Sequence, residues 1–190
     1  MIRESAVENI MTSKHVVRFY EDDDALVKEI SYFIGTGLAG GDGGIIVATK
    51  AHLHSIEERI TASGCDLVAA REQEQYVSLD AAETLSRFMV NGLPDEQRFI
   101  SEVGSLLARM EVRHSKVRAF GEMVSLLWAE ELYEAALRLE QLWNDLIDIR
   151  ACSLFCAYRM TDFNTDAATL RLKDVCTQHS QVLLSGTGPQ

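Results

Sequence analysis

Short apolar runs alternate with amphipathic segments along this chain, and that alternation constrains its fold more than any other feature. Residues 45–49 form a mostly apolar run after the glycine-rich stretch 40–44, a pattern typical of a strand buried on both faces. Residues 15–20, 116–120 and 152–158 have the composition of further strands. Strands that alternate with helices predict a mostly parallel sheet covered on both faces, so we predict a three-layer α/β/α fold of the α/β class.

The segments between these strands predict helices. An acidic turn opens the first helix, where Asp22 or Asp23 caps free backbone N–H groups, and we expect Gly35 and Gly37 to end it. Residues 128–149 place their apolar side chains on one face and are predicted to form the longest helix. The remaining predictions are a helix over 49–64, weak strands at 67–70 and 76–79, helices over 81–90 and 95–114, and a terminal helix that includes residues 170–179.

Composition and charge limit the class of protein. The 190 residues, 47% of them hydrophobic, fit one globular domain. We place it at residues 14–182, with 1–13 and 183–190 as flexible termini. Eighteen Lys and Arg against 29 Asp and Glu give a net charge of -11, which disfavours direct binding to nucleic acid or to a membrane. Without a leader-like or membrane-spanning stretch, and with four cysteines that we expect to be free thiols, a cytoplasmic protein is predicted.

Sequence motifs for nucleotide chemistry are missing. No G-x-x-x-x-G-K-[ST] loop is present, and after the first predicted strand the acidic residues 21–24 would repel a triphosphate. Residues 35–40 fit G-x-G-x-x-G but follow a predicted helix rather than a strand, so we interpret them as a connecting loop. A G-x-S-x-G nucleophile elbow is also missing. We therefore predict no catalytic residue.

Ligands of open parallel sheets bind beyond the carboxyl ends of the strands. The residues that follow the predicted strands are acidic, basic and aromatic: Tyr20, Glu21, His52, Glu122 and Arg159. Because these strand ends meet at one edge of a parallel sheet, we expect the side chains to converge there. Glu122 follows a glycine at a predicted strand end, where parallel-sheet enzymes hold metal or water ligands; the alternative is a surface glutamate or a helix cap.

No metal site is predicted from the spacing of histidines and cysteines. His52 and His54 lie two residues apart, so on a helix they point away from each other, and we interpret them as solvated. Cys152 and Cys156 face one side of a strand about 13 Å apart, too far to chelate one ion alone. We interpret these two cysteines as small buried apolar side chains.

A series of short motifs resembles a known family. The motifs are His15-x-x-x-Phe19-Tyr20-Glu21-Asp22, then Phe33-x-x-x-Gly37-Leu38 with Gly43, then Arg118-x-x-Gly121-Glu122-Met123. A terminal strand ending in Tyr158-Arg159-Met160 and a closing His179-Ser180 fit as well. In this order they resemble the MEDS domain, named for methanogen/methylotroph DcmR sensory domains, over about residues 14–182.

This resemblance implies a sensory domain with a RecA-like or KaiC-like fold, in which the turn from Phe19 to Asp22 has replaced the phosphate-binding loop. It implies a small-molecule ligand without naming a cofactor. Since residues 1–14 are too few for a helix-turn-helix and little chain follows residue 182, we expect a separate kinase or transcription regulator to read the signal. Carried over by position, the resemblance implies that the ligand is bound by His15, Phe19, Tyr20, Glu21 and Glu122.

Three functions are therefore weighed. The first is a non-catalytic sensor in bacterial or archaeal signal transduction, which passes a small-molecule signal to that partner. The second is an interaction module with a vestigial nucleotide cleft, which docks a protein partner or a second copy of itself. The third is a divergent nucleotide hydrolase with Mg²⁺ held by Glu21, Asp22 and Glu122.

Overall fold

The computed structural model describes residues 14–184, and a parallel β-sheet lies at its centre. The strands of this sheet are β1 (His15–Tyr20), β2 (Gly43–Ala48), β3 (Tyr76–Asp80), β6 (Val117–Gly121), β7 (Cys152–Arg159) and β8 (Gln181–Leu183). Their order is β3-β2-β6-β7-β1-β8, and each neighbouring pair is parallel. A separate antiparallel pair consists of β4 (Met89–Val90) and β5 (Leu93–Pro94).

Helices cover both faces of the sheet. One face carries α1 (Asp23–Ala39), α2 (Lys50–Ala62) and α3 (Leu67–Glu72). The opposite face carries α4 (Ala81–Phe88), α5 (Glu96–Phe99), α6 (Ser105–Glu111), α7 (Met123–Ala129), α8 (Tyr133–Asp148) and α9 (Asp166–Thr177). A π-helical turn (Ile100–Gly104) joins α5 to α6, and a 3-10 turn (Met160–Phe163) follows β7. The predicted three-layer α/β/α fold is confirmed, whereas the likeness to RecA or KaiC stays a prediction.

The strand order decides which way the chain turns at the end of each strand. The connections from β1 to β2 and from β2 to β3 run toward the β3 edge and carry α1, α2 and α3 on one face. The connections that end at β6, β7 and β8 run toward the β8 edge over the other face, as a single crossover hand requires. The loops after β2 and β6 therefore leave neighbouring strands toward opposite faces, and so do the loops after β1 and β7.

The motif residue Arg118 has a structural role in β6. It is buried, its Nε donates to Asp42 Oδ2 at 2.8 Å, and its Nη1 donates to the Phe33 carbonyl at 2.9 Å. A Cβ at residue 37 would come within 2.6 Å of Arg118 Cδ, so Gly37 leaves the space that this side chain occupies. These motif residues hold α1 against the sheet.

Two local predictions on the first half of the chain are wrong. Helix α1 does not end at Gly35 or Gly37 but continues to Ala39, so residues 35–39 are helical rather than a connecting loop. Residues 67–70, predicted as a weak strand, lie in α3. The side chain of Asp66 accepts hydrogen bonds from two backbone N–H groups at the start of α3, and this cap outweighs the strand preference of a short apolar run.

The single helix predicted over 128–149 is two helices, and α1, with 17 residues, is longer than α8, with 16. Helix α7 ends at Ala129 and α8 begins at Tyr133, with Glu131 between them at a φ of 59°. This turn exposes Leu132 and packs Trp128 on Tyr133, with ring centroids 4.7 Å apart. Trp128 and Leu132 keep helical spacing in the sequence, so periodicity alone missed the break.

The strands predicted at 15–20, 76–79, 116–120 and 152–158 are confirmed to within a residue, and the strand predicted at 45–49 begins earlier, at Gly43. Strand β8 was not predicted. The predicted flexible termini lie outside the described residues except for 183 and 184, and Leu183 ends β8. Among the described helices, none combines the length and the apolar character that a bilayer crossing requires.

Candidate functional site

Four loops meet at the carboxyl edge of the sheet, the edge where β1, β2, β6 and β7 end. Because neighbouring loops leave toward opposite faces, the topology places a crevice at two points of this edge, one between β2 and β6 and one between β7 and β1. Five side chains connect these crevices, and we call them the edge network: Tyr20, Asp23, His52, Glu122 and Arg159. As predicted, an acid, a histidine, a tyrosine and an arginine from different strand ends converge.

Glu122 fills the crevice between β2 and β6. Its Oε2 accepts a hydrogen bond from the backbone N–H of Thr49 at 2.9 Å, and its Oε1 lies 2.6 Å from His52 Nδ1. Glu122 is 4% exposed and His52 is 8% exposed. The alternative of a surface glutamate is therefore wrong, and so is the prediction that His52 is solvated; His54, with its side chain 73% exposed, is solvated as predicted.

The second crevice is closed by Arg159 and Asp23. Arg159 Nη2 donates to both carboxylate oxygens of Asp23, at 2.8 and 3.1 Å, and the guanidinium carbon lies 5.4 Å from the centroid of the Tyr20 ring. His52 Nε2 lies 3.8 Å from Asp23 Oδ1, which connects this pair to Glu122. The side chains of Arg159 and Asp23 are 40% and 50% exposed, so this end of the edge network faces solvent.

Burial and charge change the acidity of two members of the edge network. Burial, with a smaller contribution from the Glu122 charge, raises the pKa of Tyr20 to about 12, so Tyr20 is neutral at physiological pH. The hydrogen bond to Glu122 is the largest influence on His52 and raises its pKa above the ordinary value, against the opposing effect of burial. A protonated His52 is thus favoured between two carboxylates.

Glu21 and Phe19, which were also predicted to bind a ligand, lie outside the edge network. Glu21 is exposed in the turn before α1. Phe19 points to the other face of the sheet, where its ring packs against Tyr158 and Phe163 at 5.9 and 5.3 Å between centroids. Phe19 therefore belongs to the core and lies outside the edge network, although its neighbour Tyr20 belongs to it.

The start of α1 follows β1 directly and carries an acidic cap. The Asp22 side chain accepts a hydrogen bond from the Asp24 N–H at 3.0 Å, and Asp23 carries a second negative charge in the same turn. An acidic cap that uses the helix's own N–H groups repels phosphate. This geometry gives no support to a site for a nucleoside triphosphate.

His15 lies far from Tyr20, at the opposite end of β1. It joins three side chains from α8, β7 and the segment after α9, and we call this group the buried cluster: His15, Glu140, Cys156 and His179. One potential ligand atom from each residue lies within 4.8 Å of those of the others. The prediction that His15 and Tyr20 share one site is wrong, because a six-residue strand separates its ends by about 17 Å.

Hydrogen bonds orient each member of the buried cluster. His15 Nδ1 lies 2.8 Å from Asn144 Oδ1, and His179 Nδ1 lies 2.7 Å from the Val175 carbonyl oxygen. Tyr158 donates its hydroxyl to Glu140 Oε1 at 2.8 Å. The second oxygen of Glu140 faces the two Nε2 atoms and the thiol of Cys156, which is not in a disulfide.

Glu140 is completely buried and remains the charged centre of its surroundings. Burial alone would raise the pKa of Glu140, but the charge of His179 and the close contacts with both histidines outweigh it and lower the pKa. Burial, followed by the charge of Glu140, raises the pKa of Cys156 and of Tyr158 well above their ordinary values. Cys156 is buried as predicted, but its surroundings are polar.

An open cavity of about 880 Å³ lies elsewhere, between α2 and α3, and its lining includes Glu57, Cys65 and Arg71. None of the residues predicted to bind a ligand lines this cavity. The side chains of the edge network contact one another, as do those of the buried cluster, and none of them lines this cavity.

Sequence reasoning passed over several residues of both sites. His52 and Arg159 stood at strand ends and were not chosen, and Asp23 was considered only as a helix cap. Glu140 carried a usable signal, because it lies one residue after Leu139 and four after Ala136 on the apolar face of α8. A charged residue in an apolar stripe is rarely buried without a partner.

Comparison with known proteins adds a family. Residues 14–180 match the sequence model of MEDS, the methanogen/methylotroph, DcmR sensory domain. No curated protein matches the chain. The match spans both sites, from His15 at its start to His179 near its end.

Proposed function

The chain belongs to the MEDS family of sensory domains, and from this premise we propose that it binds a small molecule at the edge network and passes the bound state to a protein partner. The observation that supports this proposal most is the buried pair of His52 and Glu122, which is connected through Asp23 to the half-exposed Arg159. Charged groups in a crevice at the carboxyl edge are the usual ligand contacts of an open parallel sheet.

The edge network selects a ligand by chemistry. Arg159 is held by Asp23 and stands over the Tyr20 ring, so a carboxylate or another acceptor can replace Asp23 at the guanidinium. The face of Tyr20 suits a short apolar group beside that acceptor. We therefore expect a small organic acid, or a similarly sized molecule with one acceptor and one apolar end.

A path for the signal starts at the same residues. Asp23 begins α1, His52 lies in the first turn of α2, and these two helices pack against each other on one face of the sheet. A ligand that takes Arg159 from Asp23 alters the contact between Asp23 and His52 and hence the relation of α1 to α2. A tenfold difference in affinity between the two arrangements shifts their balance by about 1.4 kcal/mol. We propose that a kinase or a transcription regulator binds the chain and responds to this change.

The experiment is a thermal-shift and native mass-spectrometry screen of the full chain against small carboxylic acids, alcohols and haloalkanes. A molecule that binds only the folded protein raises the unfolding midpoint. We expect at least one organic acid to raise it, and we expect Arg159→Gln and Glu122→Gln to remove the increase. Glu21→Gln is the matched control, because it removes the same charge from an exposed position next to Tyr20.

The outcomes separate the proposal from its alternatives. An increase that survives in both edge variants would place the ligand elsewhere and contradict the edge network as the site. If no compound in the library raised the unfolding midpoint, and the chain captured a kinase or a second copy of itself, the interaction module would be favoured. Hydrolysis of ATP or GTP that depends on Mg²⁺ would favour the nucleotide hydrolase. The acidic cap of α1 does not support that function.

A further inference from the structure

The buried cluster has the dimensions of a metal site. His15 Nε2 lies 3.3 Å from Cys156 Sγ and 3.4 Å from Glu140 Oε2. His179 Nε2 lies 3.4 Å from the same oxygen, and Cys156 Sγ lies 3.7 Å from it. Ligands at about 2.0–2.1 Å for nitrogen and oxygen and about 2.3 Å for sulfur form a tetrahedron with edges of about 3.3–3.6 Å. These four separations are close to such edges, and the remaining two within the cluster are at most 4.8 Å.

Hydrogen bonds place one proton on Nδ1 of each histidine ring, away from the centre. Asn144 Nδ2 donates to the Gln178 carbonyl at 2.9 Å, so its Oδ1 faces His15 and accepts from His15 Nδ1. The Val175 carbonyl can only accept, so His179 Nδ1 also carries a proton. Each ring therefore presents the lone pair of Nε2 to the cluster once any proton on Nε2 has left, as metal-bound histidines with a hydrogen-bonded Nδ1 do.

A positive charge is needed at the centre. Two Nε2 lone pairs and a carboxylate oxygen would otherwise face one another in a site where the side chains of Glu140 and His179 are 0% exposed. His179 Nε2 is buried and has no hydrogen-bond partner among the described residues. Buried polar atoms without partners are rare in folded proteins, and a bound ion is one of their ordinary explanations.

Charge balance and ligand type select the ion. A divalent ion bound to a Cys156 thiolate and the Glu140 carboxylate, with two neutral imidazoles, gives a site of zero net charge, which is the least costly to bury. Thiolate with imidazole suits zinc, whereas Mg²⁺ and Ca²⁺ prefer oxygen ligands alone. Binding releases the proton of the Cys156 thiol to solvent, together with any proton that Nε2 of either histidine carries.

We propose that His15, Glu140, Cys156 and His179 bind one zinc-class divalent ion in a closed, four-coordinate site. The ion would connect the start of β1 with α8, β7 and the segment after α9, four parts of the chain that are distant in sequence. The outer oxygen of Glu140 is held by Tyr158 and His15 is held by Asn144, which supplies the second layer of contacts common to such sites. This inference does not depend on the edge network.

The experiment measures the metal in the full-length chain. Because the site is buried, the ion is supplied during folding, by expression in medium that contains Zn²⁺ or, in parallel, Co²⁺. We expect one zinc per chain by elemental analysis, and one ion with matching proton loss by native mass spectrometry. The cobalt protein should show the intense visible bands of a tetrahedral site together with a sulfur-to-cobalt charge-transfer band.

Matched variants test the ligand assignment. Cys156→Ser should remove the charge-transfer band, whereas Cys152→Ser, at a buried cysteine of the same strand outside the cluster, should keep both band and stoichiometry. Glu140→Gln and His179→Gln should each lower the bound metal at least tenfold under dialysis. Circular dichroism confirms that each variant is folded.

Two results would overturn the proposal. One is folded wild-type protein, with its thiols reduced, that holds less than a tenth of an equivalent of zinc and shows no cobalt bands. The other is a full equivalent of metal that Cys156→Ser and His179→Gln both retain. In the first case protons on the two histidines supply the positive charge instead, and nitrogen chemical shifts of the rings would show both imidazoles protonated.

Discussion

The edge network and the buried cluster use nearly the same residue types in opposite surroundings. Each places a histidine against a glutamate with a tyrosine beside them: His52, Glu122 and Tyr20 at the carboxyl edge, and His15, Glu140 and Tyr158 below α8. At the edge, Arg159 and Asp23 remain about half exposed, whereas Glu140 has no exposed surface. Water is therefore available to one site and excluded from the other.

This difference in solvent access decides what each site tolerates. At the edge, water can compensate a proton or a charge that is gained or lost, so a ligand can exchange there at low cost. In the buried cluster an uncompensated charge costs several kcal/mol, so its composition is fixed once the chain has folded. The edge suits a reversible signal, and the cluster suits a permanent connection.

The largest expected effect is at Glu140. Replacing Glu140 by Ala leaves two histidines and a thiol facing a void, and loss of one partner from a buried charged group costs about 3–5 kcal/mol. We expect Glu140→Ala to lower the free energy of unfolding by that amount, measured by urea denaturation. Glu134→Ala, at an exposed glutamate of the same helix, should change it by less than about 0.5 kcal/mol. If both substitutions lowered the free energy of unfolding equally, the burial of Glu140 in the cluster would not be what makes its loss costly.

A smaller loss is expected at Glu122. Glu122→Ala leaves the Thr49 N–H and the His52 ring without their acceptor, which costs about 1–3 kcal/mol for buried groups. Glu21→Ala in the exposed turn is the control and should be nearly neutral. If Glu122→Ala destabilised the protein as much as Glu140→Ala, the contrast between a wet and a dry site would fail.

The edge network should also respond to pH. The pKa of His52 is raised in the folded protein, so the folded state holds this proton more tightly than the unfolded chain. That stabilisation is complete below the unfolded pKa of about 6.5 and is lost as the pH rises through the folded pKa. The advantage of wild type over His52→Gln in free energy of unfolding should therefore shrink above about pH 6.5. A difference that is constant from about pH 6 to pH 9 would show that His52 does not hold the proton.

The smallest effect is expected at Arg159. Its ion pair with Asp23 and its stacking on Tyr20 are partly exposed, and such contacts contribute about 1 kcal/mol or less. Arg159→Gln should lower the free energy of unfolding within that limit, and the loss should decrease at high salt. A salt-independent loss above about 2 kcal/mol would mean that Arg159 is a structural residue rather than a mobile contact for a ligand.

Much of the edge network followed from sequence because it depends on local features. Strand ends were placed to within a residue for β1, β3, β6 and β7, and the carboxyl ends of parallel strands must lie at one edge. Convergence of Tyr20, Glu122 and Arg159 was therefore predictable. The burial of His52 in the crevice was not predictable, because the sequence pattern of a histidine at the start of a helix is the same whether the side chain is solvated or buried.

The buried cluster escaped prediction for a different reason. Its members lie in β1, α8, β7 and the segment after α9, and no motif of fixed spacing joins them. His15 belongs to the same family motif as Tyr20 and was grouped with it, although the strand directs these two side chains to opposite faces and opposite ends.

The sequence by itself determined the alternation of strands and helices, the three-layer fold and the acidic turn after β1, because these depend on the periodicity and chemistry of contiguous residues. Only the tertiary structure decided that His52 faces Glu122. It also decided that His15, Cys156 and His179 surround one carboxylate oxygen of Glu140. Such contacts depend on strand order and helix packing, which bring together residues up to 166 positions apart. Burial, which sets the cost of every charge, exists only once those layers have closed.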